Sequence, residues 1–77
     1  MTPIEIFEYK QKWLPGHVVE VHSDLLEDCV QWCKSYCKKW EWSVVKYSGV
    51  YQHQFRFEHK NDSVLFRSVI DERTEFK

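Results

Sequence analysis

The three cysteines of the chain lie four residues apart, at Cys29, Cys33 and Cys37. Thiolates bind zinc and act as nucleophiles, so this spacing is the first place to look for chemistry. On a helix that rises about 1.5 Å per residue, the outer two thiols are roughly 12 Å apart, too far to bind one ion. Two of them with His17 or His22 could bind zinc. The same spacing places all three on one apolar helix stripe, and we expect them to pack there as reduced thiols.

Other arrangements that could carry chemistry are weaker. The four histidines, at 17, 22, 53 and 59, are scattered, and a Cys–His pair could form only through the fold. No catalytic signature surrounds a cysteine. The two glycines, Gly16 and Gly49, are too few for a phosphate-binding loop. We therefore expect a protein that is not an enzyme and that needs no cofactor and no metal.

Composition and charge indicate the number of domains and make some kinds of partner unfavourable. A chain of 77 residues predicts a single domain over residues 1–77, and a 17% aromatic content supplies apolar area for its core. The net charge of −1 does not favour binding to phosphate, and a local excess of lysine at residues 34–46 is typical of a helix C-terminus. With no apolar leader and no run of about 20 apolar residues, we expect a soluble, cytoplasmic protein without membrane contact.

Alternating side chains predict strands over about residues 5–13, 17–22, 41–47 and 50–59. In the first of these, Phe7, Tyr9 and Trp13 share one parity. The stretch TPIE just before it has the pattern of a helix capping box, which leaves open whether residues 2–8 are helix or strand. The pair Pro15-Gly16 fits a type II turn that would join the first two strands as a hairpin.

Apolar residues at steps of three and four predict helices over about residues 24–38 and 62–71. Ser23 or Asp24 could cap the first helix and Asn61 or Asp62 the second. The order β-β-α-β-β-α predicts an α+β fold. A right-handed crossover makes the second and third strands parallel, with room for one strand between them. The result is a four-stranded mixed sheet in the order first, second, fourth, third, with both helices on one face, as in a variant of the ferredoxin-like fold.

Two interpretations of the aromatic rings stay open. Either they all pack in the core, or they exceed what two helices can cover, in which case the exposed rings would mark an interface. The predicted interface residues are Trp13, Trp40, Trp42, Tyr47, Tyr51 and His53. An alternative uses the strand with Tyr51, His53 and Phe55 to stack single-stranded nucleic-acid bases, if that face pointed to solvent. The stretch FRFEH lacks the basic-Gly start of the usual signature, so nucleic acid is the less favoured partner.

The chain also resembles a group of small uncharacterised proteins of large tailed bacteriophages. The shared pattern is VHSD at residues 21–24, a helix with WC at 32–33, a Trp strand, and YQHQFRFE at 51–58 before an aliphatic-Phe helix. This group carries no assigned activity, so the resemblance implies only expression in a bacterial host. We expect a protein–protein interaction module that binds a host or phage protein, or a second copy of itself as a homodimer. Modulation of a host enzyme is an expectation from the resemblance alone.

Overall fold

The computed structural model describes residues 1–47 and 52–75. The elements in chain order are α1 (Pro3–Trp13), β1 (His17–His22), a 3₁₀ turn (Ser23–Leu25), α2 (Leu26–Tyr36), β2 (Trp42–Val45), β3 (Gln52–Phe57) and α3 (Lys60–Glu75). The described part of the chain is thus a small α+β protein with three α-helices and one three-stranded antiparallel sheet.

The sheet has the strand order β1-β3-β2, and β3 pairs antiparallel with both neighbours. In the central row, Phe55 lies between Val19 and Val44. The predicted relation of the last three strands is therefore confirmed, including the parallel direction of the two outer ones. The prediction of a strand over residues 5–13 is wrong, because these residues form a helix. The sheet of the described residues therefore has three strands and not four. The described residues do not form a ferredoxin-like sheet.

The first element is a helix because its N-terminal signals outweigh its alternating pattern. Thr2 Oγ1 accepts from Glu5 N–H at 3.2 Å, and Glu5 Oε1 accepts from Thr2 N–H at 3.2 Å, which together make the capping box. Pro3 occupies the first turn, where its missing N–H costs no hydrogen bond. The side of α1 that faces the protein carries residues 6, 9, 10 and 13, which is helical spacing.

The turn after α1 contains Gly16, as the sequence predicts, but it does not join two strands. Gly16 has φ +61°, and a Cβ there would lie 2.4 Å from the Phe57 carbonyl oxygen and 2.8 Å from the Trp13 ring. Only glycine fits both constraints. The Leu14–Pro15 peptide is cis, and the turn joins a helix to a strand, so the predicted hairpin of two strands is wrong.

The core lies between one face of the sheet and two helices. The fully buried side chains are Val21 of β1, Phe55 and Phe57 of β3, Cys33 of α2 and Phe66 of α3. Because α2 and α3 contribute to the same cluster, the prediction that both helices cover one face is confirmed. Burial of each large apolar side chain stabilises the fold by roughly 1.5–3 kcal/mol.

Two of the three cysteines belong to this core, as packing requires. Cys29 is 2% exposed and Cys33 is 0% exposed, whereas Cys37 is half-buried just beyond the end of α2. Burial raises the pKa of the Cys33 thiol far above its ordinary range. The Cys29 and Cys33 side chains therefore act as small hydrophobes in this fold.

Several element ends differ from the predicted bounds. The helix expected over 24–38 begins as a 3₁₀ turn and ends at Tyr36, and the strand expected over 41–47 is shorter, at 42–45. The strand expected over 50–59 ends at Phe57, and its first two predicted residues lie outside the described residues. The last helix starts at Lys60, two residues before its predicted start, so Asn61 and Asp62 lie inside its first turn and do not cap it. It also continues to Glu75, beyond its predicted end at residue 71. Among the described residues, the helices are too short or too polar to cross a membrane.

Candidate interaction groove

A groove separates α1 from the connection between α2 and β2. Its deeper part, of about 720 Å³, is lined by Pro3, Ile6, Lys10, Lys34, Cys37, Lys39 and Trp42. A neighbouring part of about 570 Å³ is lined by Met1, Pro3, Ile6, Cys37, Lys38, Lys39 and Trp40. Because the two parts share four lining residues, they form one open depression, which we call the lysine groove.

The groove exists because α1 is held against the body by polar contacts at its C-terminal half. Trp13 Nε1–H donates to the Trp40 carbonyl oxygen at 2.9 Å. The Tyr9 hydroxyl donates to Glu58 Oε2 at 2.6 Å, and this contact raises the pKa of the Tyr9 phenol. None of the α1 residues is fully buried against the described part of the chain. The helix is therefore attached along one edge, and its N-terminal half forms a wall of the groove.

The floor of the groove is apolar and rigid. The Trp42 ring stacks on the buried Phe55 ring, with centroids 6.3 Å apart and an interplanar angle of 14°. Trp42 is also the first residue of β2 and pairs with Phe57, which fixes its backbone. Cys37 borders the floor, and burial, with smaller contributions from the Asp62 and Glu41 charges, raises the pKa of its thiol to about 11. This thiol is therefore a poor nucleophile at neutral pH.

The rim of the groove is basic. Of the described residues that line it, four are lysines and none is acidic: Lys10, Lys34, Lys38 and Lys39. The whole chain has a net charge of −1, so positive charge is concentrated here. Partial burial lowers the pKa of Lys10, whose Nζ lies 6.0 Å from the Trp42 ring centroid. The groove therefore combines an apolar floor with lysine side chains at its rim.

The predicted interface residues separate into two groups. Trp13, Trp40 and Trp42 all lie at the groove or at the contact that forms its wall. Tyr47 lies just beyond the other end of β2 and is 40% exposed. Tyr51 lies outside the described residues, so its prediction is untouched by the structure.

His53, the remaining predicted interface residue, has its side chain buried at 7% exposure, so it does not lie on the surface of the described chain. Its Nδ1 accepts from the Tyr47 N–H at 3.2 Å, and its Nε2 lies 2.9 Å from Ser23 Oγ. Phe55 on the same face is fully buried. This face of the sheet therefore cannot stack nucleic-acid bases without opening the core.

Sequence reasoning missed Ile6, Lys10 and Cys37 as groove residues. In a strand, Ile6 and Lys10 would have the parity opposite to Phe7 and Tyr9 and would point away from the predicted core. In a helix they are four residues apart and lie on the same side. The capping box TPIE was the signal that could have found them. The position of Cys37 beside α1 depends on a contact between distant parts of the chain, which no local pattern encodes.

One compact group of potential metal ligands lies close to the groove. Among the described residues, Glu41, Glu58 and His59 bring their ligand atoms within 4.8 Å of one another. The cysteine–histidine sites considered from the sequence do not form such a group within residues 1–47 and 52–75.

Comparison with protein-family models, curated proteins and solved structures found no match to this chain. The resemblance to small phage proteins therefore stays a prediction, and the function has to be inferred from the geometry of the molecule itself.

Proposed function

We propose that the protein is an interaction module whose lysine groove binds a short acidic segment of a partner protein, with an apolar side chain of that segment seated on Trp42. The observation that carries this proposal is the pairing of an apolar floor with four lysines at its rim. Apolar burial supplies affinity at the centre of such contacts, and charges at the rim supply orientation and a faster association rate.

The size of the groove suits a peptide side chain and its neighbours. Pockets that bind small molecules and side chains are about 300–1,000 Å³, and the deeper part of the groove is about 720 Å³. Aromatic anchors with a polar surround are typical of binding hot spots. If the phage resemblance holds, the segment would belong to a host or phage protein, and inhibition of a host enzyme would be one consequence of such binding.

The contacts of the rings favour a protein segment over single-stranded nucleic acid. Base stacking needs an open ring face. Trp42 has Phe55 stacked on it and the Lys10 ammonium group near its ring, and the Lys38 ammonium group lies 5.6 Å from the Trp40 ring centroid. A base would have to displace these lysines, whereas a carboxylate could bind them where they lie.

The experiment measures binding of a fluorescent peptide with a central Leu flanked by Glu residues, by fluorescence anisotropy. Lys34→Glu and Lys39→Glu should each weaken binding about 5- to 30-fold, because reversing a charge exchanges an attraction of up to about 1 kcal/mol for a repulsion of similar size. The matched control is Lys60→Glu, a lysine at the start of α3 that does not line the lysine groove. It should leave affinity unchanged.

Two further measurements separate the alternatives. A peptide with Gln in place of Glu should bind more weakly, and Trp42→Ala should abolish binding while a folded far-UV spectrum is retained. Equal loss for Lys60→Glu and Lys39→Glu would contradict the proposal. So would tight, salt-sensitive binding of an oligothymidylate that the acidic peptide cannot displace, since this would indicate a nucleic-acid partner.

A further inference from the structure

We propose that Glu41, Glu58 and His59 form a zinc(II) site that joins the connection before β2 to the connection between β3 and α3. This proposal is independent of the lysine groove, whose lining does not include these side chains.

Two of the three separations between the ligand atoms match those that a zinc ion requires, and all three atoms lie within 4.8 Å of one another. His59 Nε2 lies 3.1 Å from Glu41 Oε2 and 3.3 Å from Glu58 Oε1. Four ligands arranged tetrahedrally around zinc, at about 2.0–2.1 Å from it, are roughly 3.3–3.4 Å from one another. An ion can therefore enter this group once the two carboxylate oxygens close to such a separation.

The backbone and outer partners hold both carboxylates in place. Glu58 N–H donates to the Glu41 carbonyl oxygen at 3.0 Å, which fixes the two residues side by side. Glu41 Oε1 accepts from the Lys38 N–H at 3.0 Å, and Glu58 Oε2 accepts from the Tyr9 hydroxyl at 2.6 Å. In each carboxylate one oxygen is held by an outer donor and the other faces His59. Outer donors of this kind orient metal ligands in known sites.

The group also has more acceptors than donors at its centre. Both carboxylate oxygens converge on the same imidazole nitrogen, and one N–H cannot make two good hydrogen bonds. Glu58 Oε1 is inaccessible to solvent and accepts no hydrogen bond from the described residues. Its contact with His59 at 3.3 Å is an ion pair only if the imidazole is protonated. A small cation among these three atoms would satisfy all of them.

The donor set indicates the class of ion. One imidazole nitrogen and two carboxylate oxygens suit zinc better than calcium or magnesium, which prefer oxygen ligands alone. Three protein ligands leave one position for water. The ion would tie these two connections together directly, and α1 through the Tyr9 contact with Glu58. Small domains often gain stability from such a metal.

The test is zinc binding to the full chain after treatment with a chelator, measured by isothermal titration calorimetry. One zinc ion should bind per chain, and a cobalt(II) complex should lack the charge-transfer absorption that thiolate ligands give. His59→Gln and Glu41→Gln should abolish stoichiometric binding. Tyr9→Phe should lower the affinity about tenfold, since it removes an outer donor.

Controls exclude other ligands and misfolding. Cys37→Ser and His17→Gln should bind zinc as the wild type does, and all variants should show the wild-type far-UV circular dichroism without metal. The His59 side chain is 52% exposed, so its replacement leaves the core intact. The proposal is overturned if the wild type binds no zinc, or if His59→Gln or Glu41→Gln binds as well as the wild type.

Discussion

Helix α1 should detach from the rest of the molecule without global unfolding when its two polar attachments are removed. The double variant Tyr9→Phe/Trp13→Phe keeps an aromatic ring at each position. It deletes the Tyr9 hydroxyl group and replaces the Trp13 indole, with its N–H, by a smaller phenyl ring. The losses are the bonds to Glu58 Oε2 and to the Trp40 carbonyl oxygen. Because none of the α1 residues is fully buried against the described chain, little apolar burial resists the opening.

The magnitude follows from the two bonds. A neutral hydrogen bond contributes about 0.5–1.5 kcal/mol and one to a charged group about 1.5–3 kcal/mol. The Tyr9–Glu58 pair is partly exposed, which places it at the lower end of its range. The sum is about 2–3 kcal/mol. Once undocked, a helix of 11 residues is marginal in water, so its hydrogen bonds should open too.

Native-state hydrogen exchange measures this effect directly. A loss of about 2–3 kcal/mol corresponds to roughly 30- to 150-fold faster exchange of the α1 amides, if exchange follows the opening equilibrium. The β3 amides, at the centre of the sheet, should accelerate much less. Unchanged α1 exchange would show that other contacts hold the helix. Equal acceleration of α1 and β3 would show that α1 and the core open as one unit.

Two further predictions concern the core and its thiols. Phe66→Ala should lower the free energy of unfolding by about 3–5 kcal/mol in urea titrations, because the ring is fully buried against Phe55 and Phe57. The control Val64→Ala, at a 54% exposed position of the same helix, should change the free energy of unfolding by less than about 1 kcal/mol. Similar losses for the two variants would contradict the assignment of the core. A soluble maleimide at neutral pH should modify Cys37 far more slowly in the native protein than in urea, because a pKa of about 11 instead of 9.0 leaves about one-hundredth of the thiolate. Cys33 should react more slowly still, and native rates equal to those in urea would refute the inward orientation of these thiols.

Local periodicity predicted the parts of the fold in which one pattern dominated. The alternation of His53, Phe55 and Phe57 correctly predicted β3, and the three- and four-residue steps of α2 correctly placed Cys29 and Cys33 against the sheet. These signals suffice because each element buries one continuous face. The order of the three strands followed from connection rules alone.

The N-terminal element carried two competing signals, and the wrong one was preferred. The alternation of Phe7, Tyr9 and Trp13 predicted a strand, while Thr2 and Glu5 formed a capping box. In the structure Phe7 is 63% exposed, so the apparent period of two did not report a buried face. The cap decided the outcome because a short helix depends strongly on its first turn.

The candidate site was only partly predictable for the same reason. An excess of aromatic rings directed attention to Trp40 and Trp42, which line the lysine groove, and their role at an interface stays a prediction. The opposite wall depended on α1 being a helix, so Ile6 and Lys10 were not found. The convergence of Glu41, Glu58 and His59 depends on strand register and on the start of α3, and sequence spacing alone does not reveal either.

The most direct test of the lysine groove uses the four tryptophan indole N–H signals in a ¹⁵N–¹H spectrum during titration with the acidic peptide. Trp40 and Trp42 line the groove, whereas Trp32 packs on Phe66 and Tyr36. The groove predicts saturable shifts of the Trp40 and Trp42 signals that disappear in Lys39→Glu, with the Trp32 signal unmoved. Saturable binding that shifts Trp32 and leaves Trp40 and Trp42 in place would contradict it.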